Sequence, residues 1–233
     1  MTKFFVGLDL GQANDYTALS ILEKLPPEGE GKENSYHVRH LERVRGLAYP
    51  AIVSKVSEML RSPALAGNTA LVVDQTGVGA PVVDLFDQAG LNPVGVMIHG
   101  GDKATNEGDS WRVPKRDLVG VLQVLLQSGR LKISSKLSLG PVLSSEMLNF
   151  KVKIDPITAH DSYSAWREQD HDDLVLSVAL ASWFAEQDTP QEPSQWQPPI
   201  EQPAGLNSGI DDLFSTGPSF SSSKLNEYFN GIR

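Results

Sequence analysis

Apolar and polar positions along this chain follow two periods, and the change from one to the other divides it. KFFVGLDL (3–10), YTALSILEK (16–24) and SYHVRHLERV (35–44) read as three strands. The polar turn GQAND joins the first two, and PPEGEGKEN (26–34) joins the second to the third. Three strands in succession with short connections predict an antiparallel meander. From Tyr49 to Leu60 the period becomes helical, with Ile52, Val53, Val56, Met59 and Leu60 on one stripe. TALVVDQ (69–75) and PVGVMI (93–98) are short apolar runs flanking a helix over Ala80–Ala89, with Pro81 in its first turn. Strand–helix–strand of this length predicts a parallel pair. An amphipathic helix follows over Pro114–Ser128, then an extended LKI (131–133), a helix over about 138–149, and two short strands over 151–154 and 162–167. A last helix is expected from Asp172 to Ala185.

That last helix poses a chemical question. The stretch EQDHDDLVLSVALASWF sets Asp170, His171, Asp172 and Asp173 directly before an unbroken apolar run. Like charges repel, and aspartate is seldom buried without a partner. An N-cap accounts for one of these acids but not for all of them. Asp9 ends the first strand and Asp74 ends the strand at 69–75, so three acidic positions fall at element ends. In an open α/β sheet such ends meet at one edge, where functional groups collect. If the strands of Asp9 and Asp74 are neighbours, and the last helix packs on them, Asp9, Asp74 and Asp172 or Asp173 become one acidic cluster. Divalent Mg²⁺ or Mn²⁺ would neutralise it, and two such ions form a phosphodiester-cleaving site.

Composition adjusts this picture in three ways. The chain has 233 residues and no cysteine, which excludes disulfides, thiolate metal sites and a cysteine nucleophile. No apolar run is long enough to span a membrane and the N-terminus has no signal-peptide pattern, so the expectation is a soluble, intracellular protein. The net charge of −9 argues against a broad basic nucleic-acid surface, although −5 of it belongs to residues 186–233. Past Gln187 the composition turns to Pro, Gln and Ser without a period. The expected organisation is a folded domain over 1–187 and a flexible acidic tail over 188–233.

Four stretches together resemble the nuclease domain of the large terminase subunit of tailed bacteriophages: FVGLDLGQANDYTALSILE, LVVDQTGVGAPVVDLF, VPKRDLVGVLQVLLQSGRLKI and HDDLVLSVALASW. They occur in the family's order and span roughly residues 3–187. The resemblance implies an RNase H-like α/β fold, with a mixed sheet flanked by helices, as in RuvC-type resolvases. It implies a metal-dependent endonuclease that cuts concatemeric double-stranded DNA during genome packaging. It also implies a two-ion Mg²⁺ or Mn²⁺ site on Asp9, Asp74 and the pair Asp172 and Asp173, with Asp172 favoured as the main ligand. The implied partners are double-stranded DNA and a motor ATPase, small terminase subunit or portal protein, in the cytoplasm of a bacterial host. The chain carries no GxxxxGK[ST] loop, so the motor is expected on a separate chain, or this chain is a fragment.

The remaining features are less specific. Lys103, Arg112, Lys115 and Arg116 form the most basic local group and suit phosphate contacts, or simply a solvated surface. HGGDK (99–103) reads as a flexible segment, TGVGAPVV (76–83) as a tight strand-to-helix turn, and Trp111 as a packing or base-stacking residue. His171 is a helix cap or a proton-transfer group. The alternative functions are a RuvC-like junction resolvase, an ATPase of the actin and sugar-kinase type, whose first phosphate hairpin GLDLGQANDYTALSIL also resembles, and a non-catalytic packaging module.

Overall fold

The computed structural model describes residues 3–11, 15–77, 80–108, 110–149 and 172–188. The expected strands at 151–154 and 162–167, Asp170, His171 and the tail beyond Asp188 lie outside these residues. Strands β1 (Phe4–Asp9), β2 (Tyr16–Leu25) and β3 (Ser35–Arg45) form the expected antiparallel meander. Helix α1 (Tyr49–Leu60) leads to β4 (Thr69–Asp74), which returns parallel to β1. Helix α2 (Ala80–Gln88) then leads to β5 (Val94–His99), parallel to β4.

The chain next forms β6 (Thr105–Glu107) and β7 (Ser110–Pro114), where the sequence pattern suggested only a loop and a basic cluster. These strands are antiparallel to each other, and β7 lies parallel to β5. They are three and five residues long, and only Val113 and Pro114 are buried, so neither carries a readable alternation. Helices α3 (Lys115–Gln127), α4 (Gly140–Asn149) and α5 (Asp173–Gln187), with β8 (Leu131–Ile133) beside β3, complete the described chain. The eight strands run β6-β7-β5-β4-β1-β2-β3-β8 across one sheet.

Two apolar layers enclose this sheet. Val6, Leu8, Leu71 and Val73 pack beneath α1 and α2, while Phe5, Ala18, Leu22, Val72 and Val96 pack beneath α5. Strand side chains alternate between faces, so Gly7 and Asp9 share the α5 face with Phe5, and Asp74 shares it with Val72. Helix α5 is apolar on all sides and almost wholly buried between the sheet and helices α3 and α4. Its close seat on β1 depends on glycine: a β-carbon at Gly7 would lie 1.8 Å from the Ser177 carbonyl oxygen.

A bulge in β3 sets which residues reach α5. Register slips between Ile21 and Leu22, so Leu22 pairs with Val38 but Ile21 pairs with His40. Tyr36 and Val38 face α5 before the slip, and Leu41 faces it after. One extra residue thus turns Arg43 onto the α5 face, opposite Ala18, and Ala18 is itself the partner of Asp9.

Candidate metal and nuclease site

Asp9 and Asp74 are register partners at the C-terminal ends of the parallel strands β1 and β4. Neighbouring strands lie about 4.8 Å apart, so their carboxylates stand side by side on one face. Asp74 is 4% exposed, and its Oδ1 accepts a 2.7 Å hydrogen bond from the Thr76 backbone N–H. That bond fixes the turn out of β4, and Thr76 Oγ1 in turn accepts from the Ile98 N–H at 2.7 Å, tying the turn to β5. The segment TGVG is accordingly a strand-exit turn as far as it is described, through Gly77.

Helix α5 brings its acids to the same level of the sheet. It runs antiparallel to β1, with Phe184 edge-on to Phe5 at 6.3 Å and Ser177 against Gly7. Four residues back from Ser177, at 1.5 Å per residue, is about as far along the sheet as two strand residues beyond Gly7. The first turn of α5 therefore lies level with Asp9.

Asp172 and Asp173 are each engaged by a largely buried cation. Asp172 Oδ2 accepts from Lys115 Nζ at 3.2 Å, and Asp173 Oδ2 from Arg43 Nη2 at 2.6 Å. The Arg43 guanidinium lies over the Tyr16 ring, 3.9 Å from its centroid. Asp172 makes no side-chain cap to its own helix. The cap comes from α4: Glu146 Oε2 accepts from the backbone N–H groups of Leu174 at 3.0 Å and Val175 at 3.1 Å. Glu146 Oε1 lies 3.4 Å from Arg43 Nη1, an ion pair without a hydrogen bond. Burial raises the Glu146 carboxyl from the ordinary 4.5 to about 7, against the lowering effect of the Val175 N–H, Arg43 and the Leu174 N–H.

Sequence reasoning missed both Glu146 and Arg43. Glu146 has a signal in hindsight, a lone acid on the apolar stripe of Leu139, Val142, Leu143 and Met147. Arg43 has none, because simple alternation from Tyr36 and Val38 directs it to the other face.

Hard oxygen donors suit Mg²⁺ or Mn²⁺, and Asp9 with Asp74 provides two adjacent carboxylates. Among the described residues, no group of three or more His, Asp or Glu side chains is arranged to hold a metal ion. The fit is to a cation seated on the Asp9–Asp74 pair, with the two α5 acids nearby and held by Lys115 and Arg43. The basic group separates likewise. Lys103 and Arg112 are exposed, and Arg116 is exposed and donates to Asp102 Oδ1 at 2.7 Å. Lys115, by contrast, is only 8% exposed and is directed to Asp172. Trp111 packs edge-on against Trp183 at 5.2 Å. No described helix is long and apolar enough to cross a membrane.

No protein-family model and no curated protein matches the chain. Solved structures match in fold. The large terminase nuclease of thermophilic phage G20c is 20% identical with a TM-score of 0.52, covering 77% of this chain and 80% of that one. The g2p large terminase nuclease domain of bacteriophage SPP1, solved with bound Mn, is 11% identical with a TM-score of 0.49, covering 80% of this chain and 87% of that one. The terminase nuclease domain of human cytomegalovirus is 13% identical with a TM-score of 0.48, covering 77% and 82%. The fold of this chain is RNase H-like, that of the terminase nuclease domains.

Proposed function

We propose that this protein is a divalent-metal-dependent DNA endonuclease of the large-terminase type, cutting concatemeric double-stranded DNA during phage genome packaging. The observation that carries the reading is the pairing of Asp9 with Asp74 at the ends of adjacent parallel strands, on the face where α5 delivers two more acids. Adjacent carboxylates repel each other, and this repulsion is relieved by a hard cation. Mg²⁺ or Mn²⁺, as a pair in this reading, would be held by Asp9 and Asp74 with Asp172 or Asp173 contributing from α5. When bound, such ions activate water and stabilise charge on the scissile phosphate.

The chain's own residues have distinct tasks in this reading. Asp9 and Asp74 present oxygen donors from a rigid sheet. Lys115 and Arg43 balance the α5 acids and keep a buried negative cluster from expelling its own helix. The exposed Lys103 and Arg112 supply backbone-phosphate contacts beside the site, which position DNA without reading its sequence. Partners of the packaging machine, namely a motor ATPase, a small terminase subunit or a portal protein, would supply the rest of the specificity, in a bacterial host's cytoplasm.

The test is cleavage of supercoiled plasmid with Mn²⁺ or Mg²⁺ and with EDTA, for wild type, Asp9→Asn and Asp74→Asn. The expected result is metal-dependent nicking and linearisation that EDTA abolishes and that each substitution lowers at least about 100-fold, the scale of losing a group that acts at the reacting phosphate. Cleavage unchanged in Asp9→Asn would sink the reading, and preference for a four-way junction over linear duplex would redirect it to a resolvase.

A further inference from the structure

Helix α5 is capped at both ends by residues from elsewhere in the chain. At its C-terminal end Lys24 Nζ donates to the carbonyl oxygens of Ala185 at 2.7 Å and Asp188 at 2.6 Å. At its N-terminal end Glu146 takes the backbone N–H groups of Leu174 and Val175. A helix beginning Asp-Asp would ordinarily use one of those acids for this purpose. Here the acid from α4 does so, and the side chain of Asp172 makes no cap. The same Glu146 meets Arg43, which holds Asp173 and stacks on Tyr16.

The first turn of α5 is thereby pinned from three elements: α4 through Glu146, β3 through Arg43 and α3 through Lys115. Among the described contacts, Glu146 is linked to the α5 acids through the two backbone N–H groups and Arg43. Its side chain is 6% exposed, so keeping a carboxylate here costs desolvation that an apolar residue would avoid. Packing alone would favour leucine or methionine at this position.

We infer that Glu146, acting with Arg43, is a positioning residue that holds Asp172 and Asp173 in place relative to Asp9 and Asp74. The inference rests on the reading of Asp9 and Asp74 as cation ligands. Glu146 relieves the α5 acids of capping, and Arg43 fixes one oxygen of Asp173. Removing the cap lets the turn fray and releases the acids from their level above Asp9, while the sheet carboxylates stay where they are.

The experiment measures Mn²⁺ affinity by titration calorimetry on the full chain, together with melting temperature, for wild type, Glu146→Ala, Glu146→Gln, Arg43→Met and Lys24→Met. Losing a partner that orients metal ligands costs about 10–100-fold in affinity. Glu146→Ala and Arg43→Met are expected to fall in that range. Glu146→Gln, whose amide oxygen still accepts from both N–H groups, stays within about 3-fold on the same scale. Lys24→Met uncaps the other end of α5, so it lowers the melting temperature without changing Mn²⁺ affinity. If Glu146→Ala does not fold, Arg43→Met against Lys24→Met decides the matter. Wild-type affinity in Arg43→Met, or an equal loss in Lys24→Met, overturns the positioning role and leaves the Asp9–Asp74 reading standing. Absence of Mn²⁺ binding by the wild type overturns both.

Discussion

Asp9 and Asp74 face each other across two parallel strands at the point where both strands end, on the side of the sheet that α5 covers. Neither position is conspicuous alone. Their adjacency follows from β4 returning parallel to β1 rather than to the outer strands of the meander.

A cation that binds this pair in the folded state alone must raise stability. At 100 times its dissociation constant the gain is about 2.7 kcal/mol. Thermal unfolding in rising Mn²⁺ is expected to show an increasing melting temperature for wild type and a flat response for Asp74→Asn. An equal rise in the variant would mean that Mn²⁺ binds elsewhere.

Gly7→Ala tests the seat of α5 on the sheet. The added methyl meets the Ser177 backbone carbonyl at 1.8 Å, and neither backbone can move without displacing the helix or the strand. Overpacking of this kind costs about 1–3 kcal/mol or more. Chemical denaturation should show at least that loss. A variant as stable as wild type would mean that α5 lies farther from β1.

The Glu146 carboxyl predicts a pH dependence. Its folded value, about 7, lies above the ordinary 4.5, so the folded state holds this proton more tightly than the unfolded chain does. The resulting stability is complete below pH 4.5 and is lost as pH rises towards 7. The difference between the two values corresponds to about 3 kcal/mol. In metal-free buffer Glu146→Gln lacks this loss, so its stability relative to wild type should increase across that window and level off above it. A constant difference between the two proteins from pH 4.5 to 8 would contradict a buried carboxyl at this position.

The exposed cations predict salt dependence. Arg112→Ala and Lys103→Ala are each expected to weaken binding to duplex DNA and to reduce the slope of log affinity against log salt by about 0.9. Lys115→Ala should instead lower stability, because it leaves Asp172 without its buried cation. Fluorescence anisotropy over a salt series separates the two behaviours.

The parts of this fold that were legible in the sequence are those with a sustained period. The meander, α1, the β4–α2–β5 unit, α3 and α5 are long enough to display one, and their bounds agree with expectation to within about two residues. Asp9 and Asp74 were legible as acids that close apolar strands, whereas the adjacency of those strands was only conditional until the register supplied it. The β6–β7 pair was not, because Arg112 and Trp111 leave Val113 as the only interior apolar signal before Pro114. Arg43 was hidden by a register slip that no local residue announces. Lys115 looked like surface by composition, but its position at the start of α3 carries it inward to Asp172. The role of Glu146 escaped for a different, long-range reason: Glu146 and Leu174 are 28 residues apart, and the packed helices bring them together.

The bulge in β3 has a consequence for how variation in this chain should be interpreted. Deleting Arg39 or His40 would preserve every apolar residue of the strand and leave its composition almost unchanged. It would also remove the extra residue and restore an unbroken ladder, so Leu41 and Arg43 would keep their places on the α5 face. Deleting Glu42, which lies between Leu41 and Arg43, would instead turn Arg43 to the side of α1 and take the cation away from Asp173. For relatives of this chain, an arginine two residues beyond the apolar position of Leu41 is therefore a stronger guide to whether the acidic turn is held than the length of β3.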